Sequence, residues 1–192
     1  ARFRTRHGEV LTPLFMPVAT IGTVRAQKTE TLRESGSQIL LANTYHLIQR
    51  PGLDVLESFG GIHDFMKWDR SILTDSGGYQ IFSLPKLREM TEEGAWFRSP
   101  LDGRKIRLSP EASVSAQKSI GSDILMVLDE CIDSTSPKAR AAEAMARTHR
   151  WAKRSLDARG EHPAALFGIA QGACFTDLRR ESAEHLSALP FD

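Results

Sequence analysis

Residues 71 to 80 run Ser-Ile-Leu-Thr-Asp-Ser-Gly-Gly-Tyr-Gln. An apolar run stops at Asp75, and Ser76, Gly77 and Gly78 follow before an aromatic, Tyr79. That order sets a carboxylate where a buried strand emerges, then a loop tight enough for a flat ligand to reach the backbone, then a ring to stack on it. Three other apolar runs end in comparable polar groups: Asn43-Thr44-Tyr45-His46, Asp129-Glu130-Cys131 and Gln171-Gly172. Two carboxylates converging on one concave site can divide the work, one as acid or base and the other as a binding group. Gln171 adds an amide, which both donates and accepts and so can read a purine edge where a carboxylate only accepts.

Each of these residues also has a plain structural reading. Asp75 and Asp129 could cap a following helix or close an Asx-turn. Gly77-Gly78 could be only a turn, Tyr79 a core residue, and Gln171 a strand-end amide bonded to a loop. Cys131 could be a nucleophile or a thiol in a pocket wall, since no His lies near it in sequence to activate it. His46 could be a base or metal ligand, or a hydrogen-bonded structural residue. Arg140, Arg147, Arg150, Lys153 and Arg154 could touch phosphates or form a solvated helix face.

To bring such groups together the chain needs parallel strands with a common end. Apolar segments at 14–19, 38–42, 72–74, 124–128 and 165–170 are short, nearly continuous and rich in Ile, Leu and Val, as strands buried on both faces should be. Helical patterns alternate with them. Thr29 opens one that stops at Gly36, and Ser109-Pro110-Glu111 opens another with a cap and a first-turn proline. Residues 136–159 and 176–189 carry apolar side chains at helical spacing. From Trp96 to Leu108 the pattern alternates around Asp102-Gly103, which predicts a hairpin with a two-residue turn. About five strand–helix units fit a (β/α)₈ barrel that stops short of closure; the competitor is an open doubly wound sheet, which lacks its glycine-rich fingerprint here.

The chain has 192 residues, 41% hydrophobic and 26% charged, enough apolar material for a sizeable core. Its 25 basic and 24 acidic residues leave a net charge of +1, so contact with a polyanion must come from a local patch. The 2 cysteines, Cys131 and Cys174, show no metal-site spacing and fit a reduced, cytoplasmic setting. No run approaches the roughly 18 apolar residues of a spanning helix, so no membrane partner is expected. Ala1 and Asp192 do not look like natural termini.

Four segments, ILLANTYHLIQRPG (39–52), LTDSGGYQIFSL (73–84), GSDILMVLDEC (121–131) and ALFGIAQG (165–172), closely resemble tRNA-guanine transglycosylase in order and spacing. The segment SPLDGRKIRLSPE (99–111) resembles the same family. The likeness runs from about Phe15 to Leu189 and implies residues 1–192 as the N-terminal portion of one TIM-barrel catalytic domain. What it further implies is an enzyme that attacks the ribose C1′ of the wobble guanine in tRNA with an aspartate, releases guanine, and lets a 7-deazaguanine base reclaim the sugar. Asp75 falls at the family's proton acceptor and base-contacting position. Ser76, Gly77, Gly78 and Tyr79 would line the pocket, with Tyr79 stacked on the base. Asp129 would bind the N1 and N2 hydrogens of guanine, and Gln171 its carbonyl edge. Val18 and Cys131 match the bacterial type, which takes 7-aminomethyl-7-deazaguanine.

The family's nucleophilic aspartate, and the Cys-x-Cys-x-x-Cys plus His zinc site that supports tRNA binding, lie beyond residue 192. On that footing the chain alone is inactive, zinc belongs to the whole enzyme, and a cytoplasmic homodimer is expected. A noncatalytic tRNA-binding partner subunit is the alternative from another class. A metal-dependent barrel hydrolase would need His and carboxylate ligands at several strand ends, where only His46 qualifies.

Overall fold

The computed structural model describes residues 1–83 and 89–192; Leu84, the last residue of the 73–84 motif, lies outside them. The chain opens with an antiparallel pair, β1 (Arg2–Thr5) and β2 (Gly8–Leu11), which the sequence reading did not anticipate. Then come α1 (Thr29–Glu34), β3 (Ile39–Ala42), α2 (Thr44–Gln49), α3 (Leu53–Ser58), α4 (Ile62–Met66), β4 (Ser71–Thr74) and α5 (Gly78–Ser83). A three-stranded antiparallel sheet follows, β5 (Glu89–Thr91), β6 (Gly94–Arg98) and β7 (Lys105–Leu108). The chain continues through α6 (Pro110–Ile120), β8 (Ile124–Met126), α7 (Lys138–Arg159), β9 (Ala165–Phe167) and α8 (Thr176–Ser187).

The main sheet has the order β3-β4-β8-β9, all parallel. Val18 adds a parallel bridge to Leu41 on the outer side of β3, through Ala19 N–H to Leu41 O (2.7 Å) and Leu41 N–H to Pro17 O (3.0 Å). Each segment is thus laid beside the one before it, always on the same side. A doubly wound sheet would reverse direction at a switch point; among the described residues there is none. The molecule is α/β with a parallel sheet.

Both faces of that sheet are apolar, as the continuous Ile/Leu/Val runs require. Side chains alternate with period two along each strand. Leu40, Ala42, Ile72, Leu125, Val127 and Leu166 face the helices, packing on Leu47, Leu56, Trp68 and Ile120 or on Val114, Ala152 and Leu186. Ile39, Leu41, Leu73, Ile124, Met126, Ala165 and Phe167 face the other way, toward Phe3 and Val10 of the first hairpin. The helix-facing set is buried, whereas Leu41, Met126, Ala165 and Phe167 are only partly covered.

The 14–19 segment forms no strand, only the Val18–Leu41 bridge, and β8 and β9 run shorter than their apolar segments, since pairing ends where the tips part. Residues beyond Met126 and Phe167 leave the ladder to become site loops. The cause at β4 and β8 is Gln117. These strands pair only through Leu73 and Ile124, and beyond that point the Gln117 amide enters from α6. Its Nε2 donates to Met126 O (2.9 Å) and its Oε1 accepts from Met126 N–H (2.8 Å), as a neighbouring strand would. Thr74 Oγ1 donates to the same Oε1 (3.0 Å). The strand tips carrying Asp75 and Asp129 are held apart by one buried side chain.

Helix signals behaved as their chemistry demands at α6, where Ser109 Oγ accepts from Ala112 N–H (3.2 Å) and Pro110 takes the first turn. The helix that the 136–159 pattern predicts begins at Lys138, because Pro137 occupies its cap. The turn between β6 and β7 is longer than the predicted two residues. Ser99 N–H donates to Arg104 O (2.9 Å), closing a loop of Pro100, Leu101, Asp102 and Gly103. Asp102 Oδ1 accepts from Arg104 N–H and Gly103 takes a positive φ of 72°, so the Asp-Gly pair ends a four-residue loop.

Candidate active site at the carboxyl ends of the strands

Asp75 leaves β4 beside the amino end of α2. Its Oδ1 accepts from Thr44 N–H (2.9 Å) and Gly77 N–H (3.2 Å). Its Oδ2 accepts from Gln80 Nε2 (2.9 Å) and from Asn43 Nδ2. Thr44 Oγ1 donates to Asp75 O (2.6 Å). The structural reading was therefore partly right: the Gly77 N–H on Oδ1 closes an Asx-turn, but the helix whose first turn Asp75 serves is α2, which precedes it, and not a following one. Four donors also fix its carboxylate in one orientation, and Asn43, Thr44 and Gln80 are supporting residues the sequence did not single out. Only the polar Asn43-Thr44 at a strand end hinted at them.

Asp129 follows β8 and is almost wholly buried. Gln171 Nε2 donates to its Oδ2 at 2.6 Å, and Cys131 Sγ–H donates to the same oxygen at 3.3 Å. Burial pushes the Asp129 carboxyl above the ordinary range; the Cys131 and Gln171 hydrogen bonds act against this without cancelling it, and the charge of Asp75 adds to the rise. The last cause shows that the two carboxylates share one electrostatic neighbourhood. Burial and the adjoining Asp129 likewise push the Cys131 thiol up, so Cys131 is a protonated donor in the pocket wall, not a nucleophile.

The glycines make room for this arrangement. A Cβ on Gly78 would stand 2.9 Å from Asp129 O and 3.1 Å from its Oδ1. At Gly77, φ is +84°, and a Cβ would press on Leu108 (3.1 Å) and Tyr45. Ser76 is buried, its carbonyl accepting from Ser113 Oγ (2.7 Å) and its Oγ from Gly78 N–H (3.3 Å). The structure thus joins Asp75, Ser76, Gly77, Gly78, Asp129 and Gln171 through direct contacts or shared charge. Tyr79 stands apart, 62% exposed, with its ring tilted toward Phe82 at 6.4 Å. It is not a core residue. A cavity of about 280 Å³ lined by Phe82, Met90, Glu130, Cys131, Ile132 and Arg140 adjoins the thiol.

The basic face of α7 is neither free nor simply solvated. Arg147 and Arg140 both pair with buried Glu130, the first at 2.5 Å. Arg150 meets Glu92 at 2.6 Å and Arg154 meets Glu111 at 2.6 Å. These pairs clamp the antiparallel sheet and the β8–α7 loop to α7, and of the five basic residues named, only Lys153 has no such pair among the described residues. His46 lies half-buried, edge-on to Tyr45 at 5.2 Å.

At the opposite end of the sheet His7, His63 and Asp123 gather, a cluster the sequence reading missed because its members are far apart in the chain. His7 Nδ1 and His63 Nε2 approach Asp123 Oδ1 and Oδ2 at 2.7 and 3.0 Å. Their rings stack at 3.7 Å with 16° between planes. Lone pairs lie in the ring planes, so two rings stacked face to face cannot both aim at one ion. The cluster does not fit zinc, and the two cysteines offer no pair for it.

A family model described as queuine tRNA-ribosyltransferase matches residues 1–192. The queuine tRNA-ribosyltransferase of Dinoroseobacter shibae is 52% identical over 192 residues, 100% of this chain and 51% of its own length. That of Hydrogenovibrio crunogenus is 49% identical over 187 residues, 97% of this chain and 50% of its own. For Idiomarina loihiensis the figures are 50% over 185 residues, 96% and 50%. The chain spans about half the length of the relatives it matches. Matched from end to end, with the aspartates, glycines and glutamine of its strand tips gathered at one edge of the sheet, the chain belongs to the queuine tRNA-ribosyltransferase family.

Proposed function

We propose that the whole protein is a tRNA-guanine transglycosylase, a transferase of queuosine biosynthesis, and that residues 1–192 supply its base-recognition half. The observation that carries this reading is Asp129, a buried acceptor with the Gln171 amide 2.6 Å from its Oδ2 and glycine clearance beside its Oδ1. A carboxylate meets the N1 and N2 hydrogens of guanine, and an amide meets its carbonyl. A base lacking those groups would leave buried polar atoms unpaired, which is how such a pocket discriminates.

In the first half-reaction an aspartate from outside these residues attacks the ribose C1′. The bond to the guanine ring nitrogen breaks as Asp75 in its acid form delivers a proton to that nitrogen, and an aspartyl–ribose ester forms. In the second half the incoming base attacks C1′, its ring N–H proton passes to Asp75, and the ester bond breaks. Asp75 suits this task because Thr44, Gly77, Gln80 and Asn43 hold its oxygens in place. Flipping the nucleotide out costs a few kcal/mol, which contacts to Asp129, Gln171 and the Gly77–Gly78 backbone would offset, with Tyr79 as an outer stacking platform. The same-side strand order suits part of a (β/α)₈ barrel whose later strands lie beyond residue 192. The zinc site of the resembled family, its homodimer, the cytoplasmic setting and 7-aminomethyl-7-deazaguanine as incoming base complete the proposal. No observation favours the noncatalytic partner subunit.

The test is incorporation of labelled guanine into tRNA. The full-length protein exchanges it, the 192-residue chain alone does not, and Asp75→Asn in the full-length protein slows exchange about 100-fold or more. Full-length protein that exchanges nothing, or an Asp75 variant with ordinary turnover, would refute the assignment.

A further inference from the structure

Gln171 lies beyond the end of β9, where no sheet partner fixes its backbone. Two features of α8 do so instead. Ser182, wholly buried, accepts the Gln171 N–H on its Oγ at 3.1 Å. Gly172 passes so close to the helix, with φ +121°, that a Cβ there would stand 2.7 Å from Arg179 N and 2.9 Å from Leu178 C. Beyond Ser182 the chain of contacts continues to α7, where His149 Nε2 lies 2.9 Å from Ser182 Oγ.

The direction of each hydrogen bond follows from the donors available. A hydroxyl that accepts from a backbone N–H still has its own proton to give, and His149 Nε2 is the acceptor in reach. That assignment needs a neutral ring with Nε2 bare. Burial, then the His185 ring stacked at 4.2 Å and the nearby Arg150, push His149 down to about 4, so it is neutral at pH 7. The order is therefore Gln171 N–H to Ser182 Oγ, and Ser182 O–H to His149 Nε2.

We infer that Ser182, oriented by His149, is a positioning residue for base recognition: it holds the Gln171 backbone so that the side-chain amide meets Asp129 and the carbonyl edge of the base. The inference rests on the base-exchange reading above. Recognition geometry tolerates errors of only about 0.5 Å, and Gln171 sits on an irregular segment whose N–H has no other anchor among the described residues. Neither Ser182 nor His149 touches the base.

Steady-state exchange kinetics on the full-length protein test it, with guanine and tRNA varied in turn. Ser182→Ala raises KM for guanine about tenfold, as loss of one orienting hydrogen bond implies, while KM for tRNA stays within about twofold. His149→Leu, which leaves the Ser182 hydroxyl without its acceptor, raises guanine KM a few-fold, and His149→Gln, which restores an acceptor, brings it back. A merely structural role would lower the active fraction and with it kcat, moving neither KM selectively. Guanine KM unchanged in Ser182→Ala overturns the inference and leaves base exchange standing. If that variant does not fold, unchanged guanine KM in His149→Leu overturns it equally. Wild-type protein without exchange activity removes the base-exchange reading and this inference together.

Discussion

The parallel sheet carries a buried aspartate at each end, and the two are treated in opposite ways. Asp123, just before β8, has a side chain with no exposed surface. Burial alone would raise its carboxyl, but donors from His63, then His7, then the Ile72 N–H outweigh that and hold it below the ordinary value. Asp129, just after β8, is also buried, yet its hydrogen-bond donors are a thiol and an amide, both on Oδ2, and burial wins. Donors, the deeper desolvation of Asp129 and the charge of Asp75 together make the difference. An aspartate that serves the fold is saturated by the protein, with both oxygens taken and imidazoles beside it. Asp129 is left short, so that a ligand's own N–H groups can supply what is missing, whereas Asp75, the other carboxylate of the site, is held by four donors and offers a fixed orientation instead.

Removing the charge at each end should therefore give opposite results. Asp123→Asn turns one acceptor into a donor facing donors from His7, His63 and Ile72. It also removes one of the ties between the β1–β2 turn and the end of the sheet, since His7 lies between those strands. We expect a loss of about 3 kcal/mol in unfolding free energy, with guanine affinity within about twofold of wild type. Chemical denaturation and guanine binding on the full-length protein measure both. A variant of unchanged stability would show that the His7–Asp123–His63 cluster is not a structural fastening.

How much of this contrast could be read from the sequence depends on how local each cause is. The strands were legible because Ile39, Leu40, Ile72, Leu73, Ile124 and Leu166 are apolar on both faces, a property each strand carries by itself. The start of α6 and the glycine past α1 were legible for the same reason, but Thr29 does not cap α1: it lies inside the helix, after Lys28, and its hydroxyl donates to Met66 O instead. Asp75, Asp129 and Gln171 were found as polar residues closing apolar runs. What could not be read were partners brought in from elsewhere: Gln117 posing as a strand neighbour of Met126, Gln80 and Asn43 on Asp75, Ser182 behind Gln171, and His7 with His63 on Asp123. In sequence Gln117 is only a polar residue on a helix. The short helices α2, α3 and α4 have too few turns to show a period. Arg140 and Arg147 looked like a solvated face because Glu130, their buried counter-charge, belongs to another element.

At the carboxyl end, Asp129→Asn should do little harm to the fold, in contrast to Asp123→Asn. A buried carboxylate that the protein does not saturate is a cost at neutral pH, and the amide removes it. Guanine binding suffers instead, because an N–H₂ now faces the N–H groups of the base. The expected loss is about 1 to 3 kcal/mol, read by calorimetry on the full-length protein. Guanine affinity equal to wild type would mean that Asp129 does not face the base, and with it the main support for the base-exchange reading would go.

The smallest effect is also the one that compares the two aspartates within a single wild-type protein. Asp123 has a folded pKa below its unfolded value of about 3.9. Its contribution to stability is complete above that value and disappears only as pH falls through the lowered folded one. Asp129 has its folded pKa raised, so its protonated form favours the fold at low pH and that contribution is lost as pH rises through the raised value. Guanine needs the ionised form as acceptor. Lowering the pH from about 7 toward 4 should therefore weaken guanine binding several-fold while the stability held by Asp123 is still intact, and Asp129→Asn should flatten that part of the affinity profile. If affinity and stability instead fall together at one pH, the two carboxyls titrate alike, and the distinction between a saturated and an unsaturated aspartate does not hold for this protein.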